Sequence, residues 1–348
     1  MSSTTQSPLQ GRTVAVVGSG YMGGGIAQVL ALAGADVRIS DVSAEVATAN
    51  RERLITEAGQ FVADGLMPEG APDTIAARVT AAPSIEDSVA EASFVEEAVP
   101  EKIEIKHATL GRICAAADAQ AIIGSNTSTI LISRLAEGVT GVERFLGVHF
   151  SNPAPFIPGV ELIPHEGTDP AVLPVVEEIV TATGKQTARV KDSTGFVLNR
   201  LQYALFSEAS QLVEEGVASA EDVDTIVRTT FGFRLPFFGP FAIADMAGLD
   251  VYQFCYESLQ TRWPERFATP TALAELVAQG KYGAKTGGGF LDVPADRVPE
   301  LVAYRNRAYV RMQQLLAELG PAPIQPEEPN EADVSVAPEQ QTRGGEGS

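Results

Sequence analysis

The stretch "TVAVVGSGYMGGG" (13–25) narrows the possible folds more than any other part of the chain. An apolar run ends at Gly18, and the glycines then follow the spacing Gly18-x-Gly20-x-x-Gly23. The spacing is a weak signal by itself. Here a strand pattern precedes it and a helix pattern, "YMGGGIAQVLALAGA" (21–35), follows, which is the context it requires. Gly18 permits a tight turn, Gly20 lets the backbone approach a pyrophosphate, and Gly23 lets the helix pack on the strand. The free N–H groups at the helix start favour a bound anion. Asp41 ends the next strand, "DVRISD" (36–41). A carboxylate there accepts hydrogen bonds from both ribose hydroxyls of an adenosine and repels a 2′-phosphate, so NAD is expected over NADP. Tyr21 and Met22, inside the turn, join Gly18, Gly20, Gly23 and Asp41 as cofactor-binding candidates.

The pattern that starts there continues. Helical periodicity covers about 43–65, with a shorter piece to about residue 77. Strand-like "SFVEEAV" (93–99), helical 101–117, strand-like "AIIGSNTS" (121–128) and "RFLGVHF" (144–150) come next. "GVELIPH" (159–165), a helix over 170–184 and "KQTARVK" (185–191) complete the series. Strands separated by helices predict an α/β fold with a Rossmann-type, doubly wound, mostly parallel sheet. The last strands, joined by short loops, are candidates for an antiparallel arrangement. From about residue 194 the periodicity is helical. The expected division is a flexible N-terminus (1–11), an NAD-binding domain (12–192), an all-α domain (193–320) and a disordered tail (321–348).

Composition removes several classes. The net charge of −20 argues against a nucleic-acid partner, because phosphate binding needs a basic face. Part of that charge sits in the proline-rich, acidic tail, which cannot bury enough surface to offset chain entropy. No apolar run reaches membrane-spanning length, and the polar start shows no secretion pattern. Cys114 and Cys255 match no metal-ligand spacing. They read as buried small apolar groups in a reducing cytoplasm, and no metal is expected.

The chemistry-bearing candidates fall at strand ends, where ligands sit in such sheets. Glu97, in "FVEEAV", and the downstream Lys102 are placed at the cofactor cleft, together with Asn126 of "SNTS". His149 ends the strand "RFLGVHF", and Glu161 opens the next one after the proline-studded loop "SNPAPFIPG". A strand–loop–strand reversal of that length sets a histidine base against an orienting carboxylate. Ser128 and Asn199 supply a hydroxyl and an amide for the oxygen of a substrate alcohol. Asn152 helps to fix the loop and is grouped with the substrate residues. His107, in a polar helix, and His165, after a proline, lack this setting and read as structural.

These motifs resemble the L-3-hydroxyacyl-CoA dehydrogenase family from about Arg12 to Phe290. "GSGYMGGGIAQ", "SNTS", "HFSNP" with Glu161, "DSTGFVLNR", "GPFAIADMAGLD" and "GKYGAKTGGGF" stand in the family's order. The resemblance implies an NAD-dependent oxidoreductase acting on CH–OH, with His149 and Glu161 as its catalytic pair and Ser128 and Asn199 at the substrate. It also implies a helical domain that forms a homodimer. The expected substrate is a 3-hydroxyacyl-CoA or a related 3-hydroxy acid. Two departures point elsewhere. Residues 43–78, where relatives acting on acyl-CoA carry lysines, hold none and only Arg51, Arg53 and Arg78. Ser151 replaces the aromatic of the commoner "HFFNP". The proline spacing of that loop with its small residues, the "DMAGLDVY" segment and the helix after "KTGGGF" are similar to a branch handling small carboxylates, which includes carnitine, gulonate and pyridine-carboxylate dehydrogenases. In that reading Arg234, within the aromatic run "FGFRLPFFGPF", partners a substrate carboxylate. A non-catalytic NAD-binding structural or sensor protein is the alternative of a different class.

Overall fold

The computed structural model describes residues 7–323. The tail expected to be disordered therefore lies outside the described residues beyond position 323. Contacts divide the chain into two compact units, one ending at Ser207 and the other beginning at Glu208.

The first unit is built on eight strands. They are β1 (Thr13–Val17), β2 (Asp36–Ser40), β3 (Val79–Ala81), β4 (Phe94–Glu97), β5 (Ile122–Ser125), β6 (Phe145–Phe150), β7 (Gly159–Pro164) and β8 (Gln186–Arg189). The helices between them are α1 (Tyr21–Leu32), α2 (Ala44–Ala63), α3 (Ala71–Arg78), α4 (Ile85–Val89), α5 (Ile103–Ala116), α6 (Ile132–Ala136) and α7 (Val172–Thr181). α8 (Leu198–Glu214) then runs across the boundary between the units. The sheet order is β3-β2-β1-β4-β5-β6-β7-β8. All pairs are parallel except β6–β7, which is antiparallel. This is the doubly wound sheet expected, with its one reversal at the short loop between residues 150 and 159.

The strands are buried on both faces because each face carries its own apolar layer. Val14, Val16, Val37, Ile39 and Phe94 pack with Ile26 and Leu30 of α1 on one side. Ala15, Val17, Val95 and Ile123 pack with Leu110 and Ile113 of α5 on the other. The strand-to-helix turn depends on glycine at two points. Gly18 has φ of 93°, and a Cβ on Gly23 would collide with the carbonyl oxygen of Gly18. β3 and α4 were not foreseen, being three and five residues long. Part of the leader expected to be flexible is folded: residues 7–11 form a turn. Leu9 there is fully buried in the α1-side core, so one leucine suffices to tie the segment down.

The second unit contains no strand among its described residues. Its helices are α9 (Ala220–Thr229), α10 (Phe231–Arg234), α11 (Pro240–Ala247), α12 (Leu249–Gln260), α13 (Thr271–Ala278) and α14 (Val298–Leu319). Ser219 caps α9 by accepting from the N–H of Asp222. The aromatic run spends its rings on helix packing: Phe233, Phe237 and Phe238 gather around Tyr309 of α14. Buried Asp245 accepts from the N–H groups of Phe290 and Leu291 and so holds the "GKYGAKTGGGF" segment.

Candidate active site

A cleft of about 1000 Å³ opens at the carboxyl ends of the parallel strands of the first unit. Gly18, Gly20, Met22 and Asp41 line one end of it. A Cβ at Gly20 would meet nothing within 4 Å, so a ligand can approach the backbone there. The first N–H groups of α1 have no partner within the helix and are free to meet an anion. The turn is braced from behind. The hydroxyl and the N–H of Ser19 both donate to Asp41 Oδ2, at 2.7 and 2.8 Å. Asn50 Nδ2 donates to Ser19 Oγ, and Arg53 Nη2 donates to the carbonyls of Ser19 and Gly20. Val42, Ile85, Ile105 and Thr109 extend this end as an apolar slot. The set fits an adenosine with a pyrophosphate. Tyr21 contributes its place at the helix start, while its side chain is 64% exposed and is not among the cleft-lining groups.

Glu97 and Lys102 do not line the cleft. Glu97 is fully buried beneath it. Its Oε1 accepts from Lys106 Nζ at 2.8 Å, and its Oε2 accepts from Ser125 Oγ at 2.6 Å. Strand-end position suggested a cofactor contact, but the partner nine residues on turns the carboxylate inward to neutralise a buried ammonium. Lys102 precedes α5 at the N-cap and is exposed.

Besides Asp41, the cleft is lined by a second acid, Glu101, which sequence reasoning passed over. Its Oε1 accepts from Thr127 Oγ1 at 2.7 Å and from the N–H groups of Ser128 and Thr129 at 2.9 Å each. Lys106 stands 3.5 Å from its other oxygen. Burial by itself raises the Glu101 pKa. The donors from Thr127, Thr129 and Ser128, with the Lys106 charge, outweigh burial and bring it down to about 2. A permanent carboxylate thus gathers the loop that carries Ser128. The clue in the sequence was an acid at the first turn of a helix, a common pattern with no sign of partners 26 to 28 residues away.

The other end of the cleft collects His149, Ser128, Asn199, Asn126 and Asn152. His149 and Glu161 are paired directly across β6 and β7. His149 Nδ1 lies 2.8 Å from Glu161 Oε2, and both residues are buried. Glu161 Oε1 accepts from the N–H groups of Val197 and Leu198, at 2.9 and 3.0 Å, at the start of α8. Burial raises the Glu161 pKa, but His149 and those two donors outweigh it and hold it below the usual carboxylate value. An ionised carboxylate only accepts, so Nδ1 carries the proton and Nε2 is left as the acceptor. Phe196 packs on the imidazole at 5.8 Å between centroids. Its φ of 50° is left-handed, which costs a bulky residue about 1–2 kcal/mol. That turn aims the first N–H groups of α8 at Glu161.

Asn199 Nδ2 donates to the Ser128 carbonyl at 2.7 Å, so the amide and the hydroxyl-bearing residue are tied together. Asn126 uses its amide oxygen to accept from the N–H of Phe150. Arg234 belongs to the second unit, at the end of α10, and is exposed. The remaining histidines are structural. His107 Nε2 bonds the carbonyl of Arg134, and His165 bonds the carbonyl of Val142 and the N–H of Gly167.

A doubly wound sheet, a glycine turn with a braced acid, and an oriented histidine in one cleft define a Rossmann-type oxidoreductase. Residues 13–193 match the NAD binding domain of 3-hydroxyacyl-CoA dehydrogenase, and residues 195–293 match its C-terminal domain. The chain belongs to the 3-hydroxyacyl-CoA dehydrogenase family and is an NAD-dependent enzyme acting on CH–OH. It is 35% identical to a 5-formyl-3-hydroxy-2-methylpyridine 4-carboxylate 5-dehydrogenase of Mesorhizobium japonicum, over 88% of this chain and 98% of that one. It is also 35% identical to a 3-hydroxybutyryl-CoA dehydrogenase of Bradyrhizobium diazoefficiens, over 81% and 95%. A solved 3-hydroxyacyl-CoA dehydrogenase of Archaeoglobus fulgidus superposes with a TM-score of 0.73 at 30% identity, covering 89% of this chain and 99% of that one.

Proposed function

We propose that the protein oxidises a 3-hydroxyacyl-CoA or a related 3-hydroxy acid to the 3-oxo compound, with His149 as general base. The observation that carries this reading is the His149–Glu161 pair at 2.8 Å in the cleft that Ser128 and Asn199 also line. His149 Nε2 takes the hydroxyl proton, and Glu161 holds the ring and offsets the charge that forms on it. The Ser128 hydroxyl and the Asn199 amide hold the substrate oxygen as it gains alkoxide character. Gly18, Gly20, Met22 and Asp41 hold NAD, which supplies the hydride acceptor. The helical unit is proposed to dimerise, since it exposes large apolar groups such as Ile226, Phe254 and Leu319. Cys114 is half-buried and Cys255 exposed, where both were expected to be buried, and as free thiols they suit a reducing cytoplasm.

A second reading, a small carboxylate without CoA, is favoured by the α2–α3 hairpin. Each of its three guanidinium groups is already engaged by the protein. Arg51 donates to the carbonyls of Val79 and Ala76, Arg53 pairs with Glu57 and bonds the glycine turn, and Arg78 pairs with Asp36. That leaves no free cation on the hairpin for a nucleotide phosphate. In this reading Arg234 takes the substrate carboxylate.

NADH formation is measured with 3-hydroxybutyryl-CoA, carnitine, gulonate and pyridine alcohols. At least one is oxidised, and His149→Ala lowers its turnover by about 10³-fold or more while NAD affinity stays near normal. Retention of most activity in that variant would overturn the assignment. A wild-type chain that binds NAD but oxidises nothing points to the sensor reading or to a substrate outside the panel.

A further inference from the structure

Lys185 is only 6% exposed, yet no ion pair engages it among the described residues. Its single bond among the described residues is from Nζ to the main-chain carbonyl of Ile157, at 2.7 Å. Burial alone pushes its pKa down. Burying an ammonium without a counter-charge is costly, and an apolar side chain would fill the same space at lower cost. The position therefore needs an explanation in what the bond holds.

The bond holds the back of the loop between His149 and Glu161. The front of that loop faces the cleft through Ser151, Asn152 and Ile157. Its rear is fixed by contacts that mostly lack direction. Pro155 fits against Gly25 of α1, where an added Cβ would stand 2.8 Å from the proline ring. Phe156 meets Phe61 of α2 edge to face, with centroids 5.0 Å apart. The N–H of Gln186, the neighbour of Lys185, donates to the Pro158 carbonyl. Lys185 adds the one charge-assisted bond, at a residue whose side chain forms part of the cleft wall.

We infer that Lys185 is a positioning residue for substrate selection: it anchors the Ile157 carbonyl and so sets the cleft wall that meets the variable part of the alcohol. The inference rests on the proposed dehydrogenase reading for its kinetic consequence, but its structural half is measurable without turnover. A wall misplaced by an ångström weakens substrate binding more than proton removal, because His149 is held separately by the strand register.

Lys185→Met keeps the aliphatic bulk and removes the bond. The Phe156 and Ile157 amides, which donate to the Pro153 carbonyl, should exchange with solvent about 10-fold or more faster, with β6 and β7 unchanged. KM for the alcohol should rise about 10-fold or more with kcat within about 3-fold, and NADH affinity should not move. Lys185→Arg should restore KM to within about 3-fold of wild type. Unchanged exchange in the loop overturns the anchor. A joint rise of KM and NADH Kd overturns the selection role and makes the residue merely structural. If Lys185→Met does not fold, Lys185→Gln, too short to reach Ile157, is judged on the same exchange and KM criteria. If wild type oxidises no substrate, the dehydrogenase reading fails, and the exchange measurement still decides the anchor.

Discussion

Glu96 on β4 stands opposite Gly124 on β5, and its carboxyl occupies the space that a side chain at 124 would need. It is fully buried, and neither of its oxygens has a hydrogen-bond partner among the described residues. Its neighbour Glu97 points to the other face of the strand and finds Lys106. Two adjacent acids thus meet opposite fates through the alternation of a β-strand.

Glu96 makes stability depend on pH in an unusual direction. Burial first, and the Glu97 charge second, push its pKa well up, with Lys106 opposing. A raised carboxyl pKa means that the folded state holds the proton more tightly than the unfolded state. Its own contribution to stability is therefore greatest below the ordinary carboxylate range and declines as pH rises through the folded value. Glu96→Met should stabilise the protein by about 1–3 kcal/mol in acid, where only the unpartnered polar group is removed. The gain should grow toward pH 8. Thermal melts at pH 5 and pH 8 check this, and a gain that does not increase with pH would remove the basis for it.

Glu161 serves two clients, the His149 ring and the first N–H groups of α8. A glutamine has one acceptor oxygen and can serve only one of them. Glu161→Gln should lower kcat by about 10²–10⁴-fold and cost about 1–3 kcal/mol of stability, with NADH affinity unchanged. Because the Glu161 pKa is lowered, its contribution is complete above the ordinary carboxylate value and fades as pH falls below it. Steady-state kinetics with urea melts test both halves. Near-normal kcat in a folded variant would contradict the pairing.

Glu101 has the same sign with a stated window. Its pKa is about 2 against an ordinary 4.5, so its contribution is complete above 4.5 and is lost as pH falls through about 2. Glu101→Gln should be less stable than wild type at pH 7, and the difference should shrink by pH 2.5. It should also raise KM, since the Ser128 loop loses its collecting charge. Urea titrations at the two pH values decide the matter, and a constant difference would show that the carboxylate charge is not what holds the loop.

Long, strongly patterned features were legible from sequence. The glycine turn is recognisable because Gly18, Gly20 and Gly23 stand at fixed spacing between a strand pattern and a helix pattern, all within a short stretch of chain. The His149–Glu161 pairing is recognisable because a short proline-rich reversal brings strand ends together. Short or remote features were not. β3 has only three residues, too few for an alternation to show. Glu97 was expected at the cleft and Glu101 was passed over, because their placement is decided by Lys106 and by the "NTST" backbone, neither visible as local periodicity. Leu9 hid in a polar leader, and the left-handed backbone of Phe196 has no signature in residue type.

The cross-strand pairing of His149 with Glu161 has an evolutionary corollary. The loop makes the reversal, but register is kept by the β6–β7 ladder, so the alignment of the pair does not depend on which side chains fill residues 151–158. That segment can be exchanged or resized as a cassette, provided that a carbonyl still arrives at Lys185. A change confined to those residues then leaves the His149–Glu161 contact where the ladder puts it.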